Sequence, residues 1–463
     1  MRAASRFTVR RAKMRSPIAL AFQHNAESSM ASIGQLMTNR RESSGLTRRA
    51  CLTAAATLPL SAGMAAQARA GTQAAAQDNA GPAPAALPAR EEFGDIAGTY
   101  LNSGSVHPVA RGARRAVEDY LQSRTMSGEP AGYSIGAKRR SVMEAFARLI
   151  NAETGELAYI QSTSAGEQMA VRALGIPESG GRIVTDALHF FGSFHLYQEL
   201  EQAGMEVVIV RPRENRIMME DLEAAVNADT KLVAISAVST INGFQHDLKA
   251  VADLAHAHGA HVFVDAIHAV GAVPLDVRAT GIDFLSTSSY KWLMGDMGLG
   301  FMFARADLIP QLQRPRAGYY QIGAFQSHVY PYDEPGERAF EIEARDDAQG
   351  LFAMGTYSNT GVAHLDWSLN YIHALGVETI QAYRQPIIEH ARRELPRFGL
   401  EPMTPEDSTS ALISFARRDA RSVFAERLEA AGVEVSLWPN RLRVSVSVFN
   451  TIEDIDRLVE ALA

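Results

Sequence analysis

The chain reads as an α/β protein: a large domain on a mainly parallel seven-stranded sheet, followed by a smaller C-terminal α+β domain. Three observations predict this. From Tyr100 onward, short β-branched runs alternate with amphipathic stretches, a pattern that implies right-handed crossovers and a sheet buried on both faces. The 463 residues are 46% hydrophobic, ample for two or three domains at roughly 100–200 residues each. Near Arg345 the alternation stops, and two long helical stretches with isolated strands take over.

The elements follow in order. Strands are expected at Leu157–Gln161, Arg182–Thr185, Glu206–Val210, Leu232–Ala237, His261–Asp265, Phe284–Thr287 and Gly300–Phe303. Their runs of four to six mostly apolar or β-branched residues, bounded by turn formers, are too short for helices. Helices are expected at Arg111–Gln122, Ser141–Ile150, Glu167–Leu174, Gly192–Ala203, Met219–Ala225 and Leu248–His258. After Arg345 come helices at Gly361–Leu375 and Thr379–Leu395, a strand at Ala411–Ala416, a helix at Ala420–Ala431, a strand at Arg441–Val448 and a helix at Ile452–Leu462. The resulting division is an N-terminal extension with an export signal over 1–70, a linker over 71–90, a large domain over 91–345 and a small domain over 346–463.

The N-terminus differs from the rest. Arg48-Arg49 precede an Ala-rich apolar stretch, and Ala68-Arg69-Ala70 supplies a small-x-small cleavage pattern. Together they resemble a twin-arginine signal cleaved near Ala70, which implies the twin-arginine export machinery as a partner and a periplasmic destination. Counted from Met1 that signal is long, and Met30 or Met37 would give a more ordinary length. Residues 71–90 are an Ala/Pro/Gly linker. Lysine and arginine total 45 against 52 aspartates and glutamates, with no basic tract in the body of the chain, so nucleic acid is not an expected partner. No apolar run beyond the signal is long enough to span a bilayer.

The chemistry concentrates in two segments. Val262-Phe263-Val264-Asp265-Ala266-Ile267-His268 is an apolar strand ending in a carboxylate, and Ser286-Thr287-Ser288-Ser289-Tyr290-Lys291-Trp292 is a second strand ending in hydroxyls and a lysine. Parallel strands place both endings at one carboxyl edge, where open α/β sheets bind ligands. A lysine there can form an imine with an aldehyde cofactor, and a carboxylate can keep a ring nitrogen protonated. Taken singly, a strand-end aspartate and a lysine are ordinary surface residues; the pairing carries the inference. A metal centre from His256, His258, His261, Asp265 and His268 is disfavoured because no recognised ligand spacing is present.

Val264-Asp265-Ala266-Ile267-His268, Ser288-Ser289-Tyr290-Lys291 and the glycine-rich Gly295–Gly300 occur in the order found in the class V aminotransferase family, and residues 95–463 resemble that family of fold-type I pyridoxal-phosphate enzymes. The resemblance implies pyridoxal 5'-phosphate held as a Schiff base on Lys291, with Asp265 on the ring nitrogen. It implies that His189 stacks on the ring and that His268 contacts the phenolic oxygen, with Tyr290 beside the lysine. It also implies a phosphate cradle from Ser164, the amides of Ala165 and Gly166, and Ser288. Thr240 or Asn242 would make a further cofactor contact. Thr356 would reach the neighbouring subunit's phosphate in a homodimer with shared active sites, and Arg443 would pair with an amino-acid substrate's carboxylate.

Cys51 is the only cysteine and lies within the signal. On that ground a cysteine desulfurase, which needs a cysteine as persulfide carrier, is expected to be excluded. Tyr290-Lys291-Trp292-Leu293 resembles the isopenicillin N epimerase-like branch, with an aminotransferase or a C–S/β-lyase as the alternative outcome. A catalytically inactive exported binding protein is the alternative of another class.

Overall fold

The computed structural model describes residues 86–125 and 133–463. The export signal and most of the linker read above lie outside the described residues. None of the described helices is long and apolar enough to cross a membrane.

Strand β1 (Thr99–Tyr100) is followed by helices α1 (Arg111–Thr125) and α2 (Ile135–Ile150). Then β2 (Leu157–Ile160), α3 (Thr163–Ala173), β3 (Arg182–Asp186), α4 (Ser193–Gln202), β4 (Glu206–Val210), α5 (Met219–Ala225) and β5 (Thr230–Ser236) alternate along the chain. The alternation continues through α6 (Leu248–Ala257), β6 (His261–Asp265), the short α7 (Val277–Thr280), β7 (Phe284–Ser288) and β8 (Gly300–Ala304). Strands β2 to β8 form one sheet in the order β2-β8-β7-β6-β5-β3-β4. Only β8 runs antiparallel to its neighbours.

Successive side chains of a strand point to opposite faces, and both faces are apolar here. In β5, Val233 and Ile235 join one core while Leu232 and Ala234 join the other; in β6, Val262 and Val264 face the first core and Phe263 the second. A strand buried on both sides reads as a near-continuous apolar run, which is why these strands were legible in the sequence. At the sheet's other end Phe146 of α2 stacks on Phe301 of β8 with ring centroids 3.8 Å apart. Gly166 lets α3 lie close on β7, since a Cβ there would sit 2.5 Å from that of Ser286.

Beyond β8 the chain departs from the expectation. Strands β9 (Ile322–Ser327) and β10 (Phe340–Ala344) form an antiparallel hairpin, unassigned in the sequence, whose residues are nearly all exposed. Helix α8 (Ala348–Phe352) packs on β2, and α9 (Asn359–Leu375) packs on α1 and α2. Both therefore belong with the larger lobe, although they follow Arg345. The chain turns into the smaller lobe at Gly376, whose φ of 77° separates α9 from α10 (Val377–Glu394). There β11 (Glu401–Pro402), β12 (Leu412–Ala416), α11 (Ala420–Ala430), β13 (Val433–Glu434), β14 (Ser436–Trp438), β15 (Arg441–Ser445) and α12 (Ile452–Leu462) follow. Its antiparallel sheet has the order β11-β12-β15-β14. The early strand β1 pairs with β13, and Leu101 lies in the small lobe's core. The N-terminal segment thus ties back to the second lobe.

Candidate active site

Strands β5, β6 and β7 end at Ser236, Asp265 and Ser288. All three residues line one cavity at the carboxyl edge of the sheet, together with Ser162, Thr163 and Ser164 at the start of α3. Phe190, Thr240, Ile267, His268, Tyr290 and Lys291 complete its wall.

Lys291 is 8% exposed. Burial, aided by the nearby Arg443 guanidinium, pushes its amine down to about 7. Its Nζ lies 3.0 Å from Nε2 of His268, and Nε1 of Trp292 donates to Nδ1 of the same ring at 3.2 Å. An indole N–H can only donate, so Nδ1 is unprotonated. Burial, then Lys291 and Arg443, hold the ring well below its ordinary value, hence neutral. The ring proton therefore sits on Nε2 and is donated to Lys291, which must offer a lone pair. Trp292 thus fixes a tautomer that is compatible with a neutral lysine and opposes an ammonium.

Asp265 is buried, and its Oδ1 accepts the Ile267 N–H at 3.0 Å. Burial pushes the carboxyl up, against the pull of His189. His189 itself is fully buried and is not part of the cavity wall. Its Nδ1 lies 2.8 Å from Ser236 Oγ, and its Nε2 lies 3.0 Å from Glu167. Glu167 also accepts from Ser193 Oγ at 2.5 Å and from the Tyr197 hydroxyl. Burial opposes the charge on both partners, but their attraction and these hydrogen bonds hold the Glu167 carboxyl below its ordinary range and His189 above its own. These bonds engage the edge of the His189 ring, not the face through which the expected stacking would act, and one of them goes to Ser236, which lines the cavity. The neighbour of His189, Phe190, is in the wall, as is Tyr290.

The expected phosphate cradle is present in altered form. Thr163 N–H donates to Ser288 Oγ at 2.9 Å, and the two hydroxyls lie 3.1 Å apart. The amides of Ala165 and Gly166 are instead spent on the helix's own cap, donating to Ser162 Oγ and Ser162 O. They are not free for a ligand, so the expectation for those two amides is corrected. The hydroxyls of residues 162–164 and Ser288 remain around the N-terminus of α3, where the helix dipole favours an anion.

Of the two candidates near residue 240, Thr240 lines the cavity. Asn242 is buried elsewhere: its Nδ2 donates to the carbonyls of Asn215 and Met403, and its Oδ1 accepts from Phe244 N–H. Arg443 of β15 stands just behind Thr240, donating through one nitrogen to that residue's O at 3.0 Å and its Oγ1 at 2.9 Å. Thr356 is exposed and is not among the residues that line the cavity. Among the described residues, no group of three His, Cys, Asp or Glu side chains is placed to hold a metal ion.

The residues present suit the expected cofactor. A buried lysine with a neutral amine can capture an aldehyde, and Asp265 lacks a hydrogen-bonded cation that a protonated ring nitrogen would supply. Clustered hydroxyls at a helix N-terminus match a phosphate. Sequence reading missed Phe190, Ser236 and the Glu167 network. Phe190 lies in a turn after β3, where the two-residue strand period no longer sets direction.

Comparison with known proteins agrees with this geometry. The family model described as Aminotransferase class-V matches residues 114–458. A probable cysteine desulfurase of Methanothermobacter thermautotrophicus is 24% identical over 387 residues, covering 78% of this chain and 93% of the relative. The cysteine desulfurase IscS of Shewanella baltica is 26% identical over 381 residues, covering 78% and 91%. Among solved structures, the cysteine desulfurase CsdA from Escherichia coli superposes with a TM-score of 0.68 at 20% identity, covering 81% of this chain and 97% of that one. The cystine C–S lyase C-DES, in complex with its reaction product cysteine persulfide, gives 0.69 at 17% identity, covering 80% and 98%.

These findings overturn the exclusion of the cysteine desulfurases. That exclusion rested on one residue type, the missing cysteine, whereas relatives matched over most of the chain carry that activity. In C-DES, moreover, the persulfide is borne by a reaction product. By its sheet, its cavity and the family match across both lobes, the chain belongs to the class V aminotransferase family and is a pyridoxal 5'-phosphate enzyme of fold type I.

Proposed function

We propose that the protein acts on an α-amino acid, that Lys291 moves the proton of its α-carbon, and that the overall reaction is an elimination at the β-carbon such as C–S cleavage. The observation that carries this reading is the buried Lys291 amine, held near 7 and hydrogen-bonded to a neutral His268. Bound pyridoxal phosphate supplies an aldehyde for the amine and a ring that draws electrons from the α-carbon. Ser162, Thr163, Ser164 and Ser288 would hold its phosphate, and Asp265 its ring nitrogen. A base works best when its pKa lies near the working pH, and Lys291 meets that condition. Arg443 takes the substrate carboxylate on the Thr240 side and orients the α-carbon toward the lysine.

What favours elimination over an epimerase-like outcome is the supply of bases. The ionisable groups of the cavity wall are Asp265, His268, Tyr290 and Lys291. His268 is already bonded to Lys291, and burial raises Tyr290. Epimerisation by two independent carbon bases therefore lacks its second member. The Trp292-Leu293 pair that suggested the epimerase branch is buried, and its indole serves His268 and Arg384. Relatives that act on sulfur amino acids support the same choice.

The purified protein incubated with L-cystine in deuterated water is expected to release cysteine persulfide together with pyruvate and ammonia, and Lys291→Ala should abolish all three. Recovery of intact amino acid of inverted chirality would sink the elimination reading. The same reading includes a homodimer, since Thr356 is exposed on a single chain and resembles the residue that serves a neighbouring phosphate. Light scattering that gives a monomer at micromolar concentration would refute that part. Export through the twin-arginine route to the periplasm completes the proposal, supported by Arg48-Arg49 and Ala68-Arg69-Ala70.

A further inference from the structure

Strand β15 presents two arginines on one face. Arg441 and Arg443 are two residues apart, opposite Trp438 and Ser436 of β14 respectively. Both guanidinium groups lie over the Trp438 ring, Arg441 at 3.9 Å and Arg443 at 5.3 Å from its centroid. Arg443 is 3% exposed and donates to Thr240, Ser105 and Ser436, all neutral groups. Arg441 is half-buried and donates to the Ile241 carbonyl at 3.2 Å. The buried Nε atoms of both are without a hydrogen-bond partner, and neither side chain forms an ion pair among the described residues.

Two desolvated cations side by side repel each other, and Arg441 helps pull Arg443 down to about 10, after burial itself. Such a pair is costly unless anions meet it. One anion is accounted for by the α-carboxylate of the proposed substrate at Arg443. The other cation stands one strand repeat away, roughly 6.5–7 Å along β15, beside the same indole. We propose that Arg441 is a specificity residue and that the substrate is an α-amino acid whose side chain ends in a second carboxylate. This rests on the amino-acid reading above. Trp438 would pack the aliphatic part of that side chain between the two guanidinium groups, and the flat, delocalised Arg head is suited to both stacking and carboxylate pairing.

The test uses the holoenzyme titrated with L-glutamate and with L-norvaline, which keeps the amino-acid head but has no distal charge, following the cofactor's visible absorbance. L-Glutamate is expected to bind at least about tenfold more tightly, the factor that one charge-assisted hydrogen bond is worth. Arg441→Met should remove that preference while leaving L-norvaline affinity nearly unchanged, and Arg441→Lys should restore part of it. Arg443→Lys should weaken both ligands. Equal binding of the two ligands by the wild type would overturn the proposal while leaving the amino-acid reading intact. Equal weakening of both by Arg441→Met would also overturn it, leaving Arg441 as an interlobe tie to Ile241. If neither amino acid perturbs the absorbance of the loaded wild type, the amino-acid reading falls and the specificity proposal falls with it.

Discussion

Trp292→Phe is the substitution that most directly tests how Lys291 is kept neutral. In the structure the indole N–H occupies His268 Nδ1 and forces the ring proton onto Nε2, which faces Lys291 Nζ at 3.0 Å. Phenylalanine keeps an aromatic ring beneath Arg384 but removes the donor. The imidazole can then carry its proton on Nδ1 and offer Nε2 as an acceptor, which favours the ammonium form of Lys291. Reversing one hydrogen bond moves about 0.5–1.5 kcal/mol, equivalent to roughly 0.4–1 pKa unit. The lysine midpoint should therefore rise from about 7 toward 8. The assay is the rate at which cofactor-free protein takes up pyridoxal phosphate as a function of pH, since only the neutral amine attacks the aldehyde. The midpoint is read from folded protein and does not depend on the stability lost with the smaller side chain. An unchanged midpoint, or one displaced to lower pH, would refute the tautomer argument.

Other outcomes follow from the same structure. Glu167→Gln leaves His189 buried without its counter-ion and should cost about 3–5 kcal/mol in chemical denaturation. Because His189 is raised and Glu167 lowered, the pair's contribution is complete between pH ~4.3 and ~6.5. It is lost as pH falls through the folded Glu167 value or rises through the folded His189 value, so the variant's stability should vary less with pH on both sides. Phe301→Ala removes a ring stacked at 3.8 Å on Phe146 and should cost about 3–5 kcal/mol, measured as a lower denaturation midpoint with the cavity chemistry intact. A reporter fused behind residues 37–75 should be exported only with Arg48 and Arg49 intact, and undiminished export of the double lysine variant would refute the signal.

The sheet was legible because its strands are buried on both faces. Val262-Phe263-Val264, apolar on both faces, reads as a buried strand, and its carboxyl end marked Asp265 with it. The hairpin β9–β10 was not legible, since its residues pack on neither core and leave no burial pattern. At the site, Lys291, Asp265, Ser288 and His268 end or closely follow buried strands, so their register carried them to the cavity. Phe190 lies in the turn after β3, beyond the strand register, and nothing in its sequence context marks it as part of the wall. Ala165 and Gly166 illustrate a different limit: a Ser-rich helix start looks the same in sequence whether its amides meet a ligand or its own cap. The lobe boundary was placed at the change of sequence character near Arg345, but α9 is as apolar as a core helix because it packs on α1 and α2.

The two lobes meet where charge is handled. Lys291 belongs to the large lobe and Arg443 to the small one, and the guanidinium reaches across to Thr240. After burial, Arg443 is what holds the lysine amine down. A carboxylate paired with Arg443 cancels much of that field, so Lys291 becomes a stronger base when a substrate is seated than when the site is empty. The sign is opposite to that of simple closure, which deepens burial and would weaken the base. The two effects can be separated without turnover. Saturating propionate, which has a carboxylate but no amine, should raise the pH midpoint of cofactor uptake in the wild type. It should have no such effect in Arg443→Met, whose midpoint begins higher. A midpoint unmoved or lowered by propionate in the wild type would mean that burial, not the Arg443 charge, governs the lysine.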